Sequence, residues 1–210
     1  MGANGIIKQL IVSPTYFVMP LLAKTAIQGH IISIKDLMQE LNSIGKFELN
    51  SVNWTAFFCS VRCPGAIILK SYDLAQKWRS EERQIIGGFH SPVEKEVLEI
   101  MLRSMAPVGI VLARGLPKRI PAEYKPHIEK GRLLLASSFG ANVRRATKES
   151  AEERNLAVAS LASEIFVAHA APGGKTEEFC RTISGLQKPC FTFKHETNAN
   201  LLSMGFKAIE

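Results

Sequence analysis

Short apolar runs alternate with longer amphipathic segments along the chain from Asn53 onward. Each run is five to seven residues long, the usual length of a buried strand. The runs occupy residues 55–61, 84–89, 107–113, 132–137, 164–169 and 189–193. The pattern therefore predicts six strands within residues 51–210.

The segments between these runs carry apolar residues at helical spacing, as Ile67, Leu74 and Trp78 do in residues 66–79. Further helices are predicted at residues 93–105, 121–130, 150–162, 176–186 and 200–204. Ser91 and Pro92 have the residue types that favour an N-cap and a first helical position. Apolar strands separated by helices indicate a parallel sheet covered on both faces. We therefore expect an α/β fold with a doubly wound, mostly parallel, Rossmann-like sheet in a three-layer α/β/α arrangement.

Residues 1–50 show a weaker pattern. Residues 16–22 fit either a strand or the start of a helix, and residues 34–41 fit a helix that Ser33 would cap. We expect residues 1–50 to be an N-terminal extension packed on the main domain and residues 51–210 to form the Rossmann-like domain.

The composition is that of a packed soluble protein, with 46% hydrophobic and 21% charged residues. No apolar run reaches the ~20 residues of a membrane span, and the N-terminus lacks a secretory signal pattern. Cys59, Cys63, Cys180 and Cys190 include no CxxC pair and have no His at a ligand spacing. We therefore expect a cytoplasmic protein with reduced thiols, no metal and no membrane contact.

The net charge of +7 comes from one part of the chain. Residues 112–148 contain nine Lys and Arg against two Glu, and the rest of the chain is balanced. Such a local excess is typical of a phosphate or nucleic-acid binder, although a solvated helix and loop would also account for it. Lys130 and Arg132 precede a strand and should lie at the opposite end of the sheet. The basic residues expected at the ligand edge are Arg114, Lys118, Arg119, Arg144 and Arg145.

Doubly wound sheets bind ligands beyond the carboxyl ends of their strands, where helix N-termini present free N–H groups. Four loops at this edge carry residues that suit a phosphate. The candidate residues are Ser60, Arg62 and Gly65, then Gly87, Gly88, His90 and Ser91, then Arg114, and finally Gly173, Gly174, Lys175 and Thr176. Arg154 and Asn155, in the helix before the fifth strand, could reach the same crevice.

Several nucleotide-binding and catalytic motifs are excluded. The P-loop pattern GxxxxGK[ST] needs Gly where His169 stands. The sequence from Gly87 to Ser91 is not GxGxxG, and no acidic residue is placed to hold a ribose. Neither a GxSxG elbow nor an HExxH pair occurs. The motifs thus support neither a P-loop ATPase nor a dehydrogenase, and we expect no cofactor.

The order of these motifs resembles a known family. Residues 59–62 read Cys-Ser-Val-Arg where that family has Gly-Ser-Arg, and the Arg154-Asn155 pair matches directly. Residues 198–205 read Asn-Ala-Asn-Leu-Leu-Ser-Met-Gly, similar to its closing Gly-x-Asn-x-Leu-Ile-x-x-Gly. On these motifs, residues 53–206 resemble the Rossmann-like domain of the DprA/Smf DNA-processing family, within a broader group that includes LOG-type nucleotide hydrolases.

The resemblance implies a non-catalytic protein that holds single-stranded DNA, or a nucleotide, against the strand ends. It also implies a role in DNA uptake, recombination or repair, a RecA-like recombinase as a partner, and a homodimer. The winged-helix tail of many family members has no counterpart in the sequence, so we expect no second DNA-binding module.

Two other functions stay open. LOG-type enzymes carry Pro-Gly-Gly-x-Gly-Thr-x-x-Glu, and residues 172–178 are a shortened version of it. In such a phosphoribohydrolase, an N-glycosidase, Glu178 or Glu177 would stabilise the ribosyl cation and Arg154 would hold the phosphate, although both glutamates also simply favour a helix N-terminus. The other function is a non-catalytic nucleotide sensor.

Overall fold

The structure is a computed structural model that describes residues 25–27, 30–32 and 41–210. Its strands are β1 (Thr25–Ile27), β2 (His30–Ile32), β3 (Asn42–Ile44), β4 (Thr55–Cys59), β5 (Ile85–Gly87), β6 (Val108–Val111), β7 (Leu133–Ser137), β8 (Glu164–His169), β9 (Cys190–Phe193) and β10 (Lys207–Ile209). Its α-helices are α1 (Gly65–Ser80), α2 (Pro92–Met101), α3 (Lys125–Glu129), α4 (Lys148–Leu161), α5 (Lys175–Ile183) and α6 (Ala199–Ser203). Short 3-10 helices cover Leu49–Ser51, Ser184–Leu186 and Glu196–Asn198.

Eight of these strands form one sheet in the order β10-β9-β8-β4-β5-β6-β7-β3. All neighbours are parallel except β3, which pairs antiparallel with β7. The chain runs outward from β4 to β7, returns to β8 on the other side of β4, and continues to β10. The direction of winding thus reverses between β4 and β8, and this is the crevice where doubly wound sheets bind ligands.

The core lies on both faces of the sheet because every side chain of β4 is buried and successive side chains point to opposite faces. Phe57 packs on one face with Trp78 of α1 and Phe166 of β8. Phe58 and Val158 belong to the cluster on the other face. Helices therefore cover both faces, and the predicted doubly wound α/β fold is confirmed.

The six predicted strands and the helices between them are present, with some ends displaced. The strand predicted at residues 84–89 is shorter, and the helix predicted at 121–130 covers only Lys125–Glu129. Pro126 accounts for the late start of α3, because proline is accepted only in the first turn of a helix.

Two strands of the main sheet were not predicted. Gly205, at a φ of +89°, lies at the turn after α6, and the chain continues into β10. Strand β3 lies within the region interpreted as an extension, and the boundary at residue 50 stays a prediction. The predicted segments 16–22 and 34–41 lie outside the described residues, apart from Leu41, which is not helical. None of the described helices is both long and apolar enough to cross a membrane.

Candidate anion-binding site at the strand ends

Ser60 joins the two strands that flank the crevice. It directly follows β4, and its backbone N–H donates to the carbonyl of His169 at the end of β8, at 2.9 Å. Its Oγ accepts a hydrogen bond from the backbone N–H of Ala171, also at 2.9 Å. Ser60 is buried, so its hydroxyl fixes the loop after β8 against the loop after β4. Arg62, two residues on, is exposed at the same edge.

The Glu94 carboxylate connects the end of β4 to the loop after β5. Its Oε1 accepts from the backbone N–H of Cys59 at 2.9 Å. Its Oε2 accepts from the backbone N–H groups of His90 at 2.7 Å and Ser91 at 3.0 Å. Ser91 in turn caps α2, because its Oγ accepts from the backbone N–H of Glu94 at 3.2 Å. This buried carboxylate therefore holds the ends of β4 and β5 at a fixed separation.

Arg154 is the buried cation of the site, with only 7% of its surface exposed. Its Nε donates to Oδ1 of Asn155 at 2.8 Å, and its Nη1 donates to the carbonyl of Val111 at the end of β6, at 3.4 Å. Burial lowers the pKa of the guanidinium, and the nearby Glu94 carboxylate opposes that shift. Arg154 forms no ion pair with any residue that the structure describes. A buried arginine that forms no close ion pair among the described residues is suited to an incoming anion.

Gly88 makes room for that guanidinium. A Cβ added to Gly88 would lie 1.7 Å from Nη1 and 2.0 Å from Cζ of Arg154. The backbone after β5 can approach the arginine this closely because glycine has no side chain. Gly87, by contrast, is the last residue of β5, and a Cβ added to Gly65 would meet nothing within 4 Å. Of these three candidate glycines, only Gly88 contacts the buried cation.

The loop after β8 is held by Glu177 rather than by a cap at Gly174. Glu177 is 4% exposed, and its Oε2 accepts from the backbone N–H of Gly173 at 2.9 Å. Its Oε1 accepts from Nδ2 of Asn200 at 2.6 Å, and Arg181 also donates to it. These bonds, the Asn200 one foremost, lower the pKa of Glu177. The Glu177 carboxylate is thus engaged in hydrogen bonds that hold the loop, whereas the Glu178 side chain is exposed.

Gly173 and Lys175 lie on the outside of this loop. Gly173 has a φ of +70°, in the left-handed region where glycine is favoured, and Lys175 is exposed at the start of α5. Thr176 is half-buried in the first turn. The pKa of Glu149, in the first turn of α4, is lowered mainly by hydrogen bonds with its own backbone N–H and with Thr147, with a smaller effect from Lys175. Helices α4 and α5 also contact each other.

The buried side-chain amide of Asn198 stabilises the end of β8 beside the crevice. Oδ1 of Asn198 lies 2.8 Å from Nδ1 of His169. Its Nδ2 donates to the carbonyl of Ala168 and to Oγ1 of Thr192, both at 2.9 Å. Asn198 has no exposed surface, so it joins β8 to β9 and fixes the end of β8.

Five exposed basic residues lie on two loops that touch. The backbone N–H of Gly115 donates to the carbonyl of Val143 at 2.9 Å, and a Cβ on Gly115 would lie 2.4 Å from the carbonyl oxygen of Gly140. The loops after β6 and β7 are therefore packed backbone to backbone. Their exposed basic side chains, called here the basic edge, are Arg114, Lys118, Arg119, Arg144 and Arg145.

Other basic residues within residues 112–148 lie away from this edge. Arg132 precedes β7 and donates through Nη1 to the carbonyl of Ser104 at 2.7 Å, before β6. Lys130 follows α3 and is exposed near the amino end of β7. The charge excess is thus split between the two ends of the sheet, as the topology predicts. Within the described chain, no group of His, Cys, Asp and Glu side chains is placed to hold a metal ion.

Sequence reasoning did not identify two residues that shape the site. Glu94 looks like an ordinary helix-start acid, and only its spacing of three from Ser91 signals a capping box. Phe89 has a φ of +47°, uncommon for a residue with a side chain, and nothing in its local sequence indicates this. The left-handed turn at Phe89 directly precedes His90 and Ser91, whose backbone N–H groups donate to Oε2 of Glu94.

The sequence matches no protein-family model and no curated protein. Solved structures do resemble the chain. DNA processing protein A (DprA) from Streptococcus pneumoniae has a TM-score of 0.67 at 17% identity, covering 82% of this chain and 66% of that one. The chain therefore spans slightly less than two thirds of the length of the pneumococcal protein.

DprA from Helicobacter pylori, described for its unique single-stranded DNA binding mode, has a TM-score of 0.66 at 19% identity. That match covers 84% of this chain and 86% of the H. pylori chain. The molybdenum cofactor binding protein of Rippkaea orientalis has a TM-score of 0.52 at 11% identity, covering 75% of this chain and 89% of its own. The chain has a DprA-like Rossmann fold.

Proposed function

We propose that the chain binds single-stranded DNA through the sugar–phosphate backbone along the carboxyl ends of its strands, without catalysing a reaction. The observation that carries this proposal is Arg154, buried beside Gly88 and without an ion pair among the described residues. Nε and Nη1 of Arg154 donate to Asn155 and Val111, which leaves Nη2 as the nitrogen with N–H donors for a phosphate oxygen. The H. pylori relative of the same fold is described as binding single-stranded DNA.

The basic edge adds further positions for phosphate contacts to the site at Arg154. Its five exposed side chains lie on two loops packed together by Gly115 and Val143. Arg62 and Lys175 add exposed cations beyond β4 and β8. A strand that passes over several such cations gains affinity from counterion release, which does not depend on base sequence. A mononucleotide would reach only one of them at a time.

The phosphoribohydrolase alternative is weaker because its glutamates are poorly suited to the chemistry. Glu177 already accepts three hydrogen bonds that hold the loop and α5. Glu178 is exposed, where water would compete for a ribosyl cation. Release of free base from nucleoside monophosphates, lost in a Glu178→Ala variant, would support the enzyme and overturn the binding proposal.

A direct comparison of ligands separates DNA binding from nucleotide sensing. Labelled oligothymidylate anisotropy should be recorded at about 50 and 200 mM salt, with mononucleotides as competitors. We expect binding at low salt, steep weakening at high salt, and little displacement by mononucleotide. Tight mononucleotide binding without oligonucleotide affinity would instead select a nucleotide sensor. No oligonucleotide binding at low salt would refute the proposal.

We further infer from the resemblance that the chain acts in DNA uptake, recombination or repair, as a homodimer that assists a RecA-like recombinase. Sedimentation of the purified protein should give twice the monomer mass. Loading of a RecA-like recombinase onto oligonucleotide should be faster in its presence. A monomer, or unchanged loading, would count against the respective part of this inference.

A further inference from the structure

Cations along the strand ends do not by themselves account for a preference for single-stranded DNA. A duplex carries more phosphates per unit length, and each phosphate contact with it adds about 0.9 to the salt slope, against about 0.7 for a single strand. A site made only of Arg154 and the basic edge would therefore attract a duplex at least as strongly as a single strand. What distinguishes a single strand is that the flat faces of its bases are free, and aromatic side chains bind these faces. Selectivity for a single strand thus requires such a side chain at the same edge.

Phe139 is an aromatic residue at this edge that the hydrophobic core does not include. It lies two residues beyond the end of β7 and is half-buried. Its ring belongs to neither core cluster, and among the described residues it contacts no other aromatic ring and no cation. Every other phenylalanine that the structure describes packs in one of the two clusters. Packing in the core therefore does not explain an aromatic ring at this position.

Hydrogen bonds hold the backbone at Phe139 between the cations of the site. The hydroxyl of Ser137 accepts from the backbone N–H of Phe139 at 3.0 Å and donates to the carbonyl of Arg114 at 2.7 Å. The hydroxyl of Ser138 donates to Oε1 of Glu153 in α4 at 3.3 Å. Phe139 is thus fixed next to the basic edge on one side and next to the helix of the buried arginine on the other. A ring on a backbone held in this way loses little conformational entropy when a ligand packs against it.

We propose that Phe139 stacks on an unpaired base and thereby makes the site selective for single-stranded DNA. This inference rests on the proposed function, because the neighbouring cations must hold the sugar–phosphate backbone while the base contacts the ring. In a duplex the same base is paired and stacked between its neighbours, so its face is not free to contact the ring. The contact does not select one base, since every base has a π-face.

Abasic oligonucleotides separate the stacking contact from the phosphate contacts. Oligothymidylate and an abasic oligomer of the same length carry the same phosphates, and only oligothymidylate has bases. Stacking of one base on an aromatic side chain changes the affinity roughly 5- to 150-fold. We therefore expect the unaltered protein to bind oligothymidylate more tightly than the abasic oligomer by a factor in that range. Anisotropy titrations at about 50 mM salt, where the phosphate contacts are strongest, measure both affinities.

Substitutions at Phe139 assign that difference to its ring. Phe139→Leu keeps an apolar side chain and should lower the affinity for oligothymidylate to that for the abasic oligomer. The affinity for the abasic oligomer, the affinity for a duplex and the salt slope should not change. Phe139→Tyr keeps an aromatic ring and should retain the affinity of the unaltered protein. The control is Phe191→Leu, which alters a half-buried phenylalanine of β9 that packs against the core, and it should change neither affinity.

Three results would overturn this inference and leave the proposed function standing, because both oligomers still bind in each of them. The first is equal affinity of the unaltered protein for oligothymidylate and the abasic oligomer. The second is an unchanged preference for oligothymidylate in Phe139→Leu, which would mean that the bases contact another part of the protein. The third is an equal loss of affinity for both oligomers in Phe139→Leu, which would mean that the ring only supports the loop. If the unaltered protein binds neither oligomer at low salt, the proposed function fails and this inference fails with it.

Discussion

The basic edge can be tested through the salt dependence of DNA binding. Arg144 and Arg145 are exposed and lie on the loop after β7 that packs against the loop after β6. Replacing both with alanine removes two cations while leaving buried contacts untouched. We expect the double variant to fold normally and to bind single-stranded oligonucleotide more weakly.

The magnitude follows from counterion release. Each phosphate contact with a single strand adds about 0.7 to the slope of log affinity against log salt concentration, so losing two contacts lowers that slope by about 1.4. The affinity should then fall roughly tenfold at 200 mM salt and roughly 65-fold at 50 mM. The variant should therefore be visibly less sensitive to salt than the unaltered protein.

A matched variant controls for net charge. Arg103 and Lys130 are also exposed, but they lie in the connections that lead into the amino ends of β6 and β7. Replacing these two with alanine changes the net charge by the same amount at the opposite end of the sheet. Anisotropy titrations over four salt concentrations give the slope for each protein. Equal slopes for the two double variants would refute the assignment of DNA to the strand-end edge.

Three further changes test the structure around this edge. Gly88→Ala should displace the Arg154 guanidinium and weaken oligonucleotide binding by about 1–3 kcal/mol. The control is Gly185→Ala, where an added Cβ meets nothing within 4 Å and the affinity should not change. Equal affinities of the two variants would contradict a role for the close contact between Gly88 and Arg154. Asn198→Ala removes a fully buried amide and should lower the free energy of unfolding in urea by about 2–3 kcal/mol. A smaller change would mean that the pairing of β8 with β9 does not depend on the hydrogen bonds of this amide. The pKa of Glu177 is lowered in the folded protein, so its stabilising contribution is complete above its ordinary value of 4.5 and lost as the pH falls through the lower folded value. Acidification should therefore lower the Tm of the unaltered protein more than that of Glu177→Gln, and parallel losses would contradict this.

Most of the fold could be predicted because each central strand is apolar throughout and each helix has a local signal. The strand at 164–169 was predicted with its observed ends, and Ser91 caps α2 as its sequence indicates. Strands β3 and β10 are three residues long and lie at the two edges of the sheet. Such short edge strands carry little apolar periodicity, so they form through pairing with a neighbour that local sequence does not reveal.

The candidate site was less predictable because its geometry depends on contacts between distant residues. The sequence indicates that Gly88 and Arg154 are of interest, but not that the glycine makes room for the guanidinium. Ser60 was predicted to contact a phosphate, and the structure adds that its hydroxyl accepts a hydrogen bond from the backbone N–H of Ala171. Glu177 was predicted, as an alternative to Glu178, to stabilise a ribosyl cation, and the structure adds that its carboxylate accepts hydrogen bonds from Gly173, Arg181 and Asn200.

Hydrogen exchange with bound oligonucleotide tests the central claim most directly, because it locates the DNA on the protein. We expect slower exchange of backbone amides in the loops at 60–65, 88–91, 112–119, 138–147 and 171–175 when oligothymidylate is bound. Peptides that cover the amino ends of the strands, including residues 103–107 and 130–132, should exchange at unchanged rates. Protection confined to the amino ends, with none in the strand-end loops, would contradict the account.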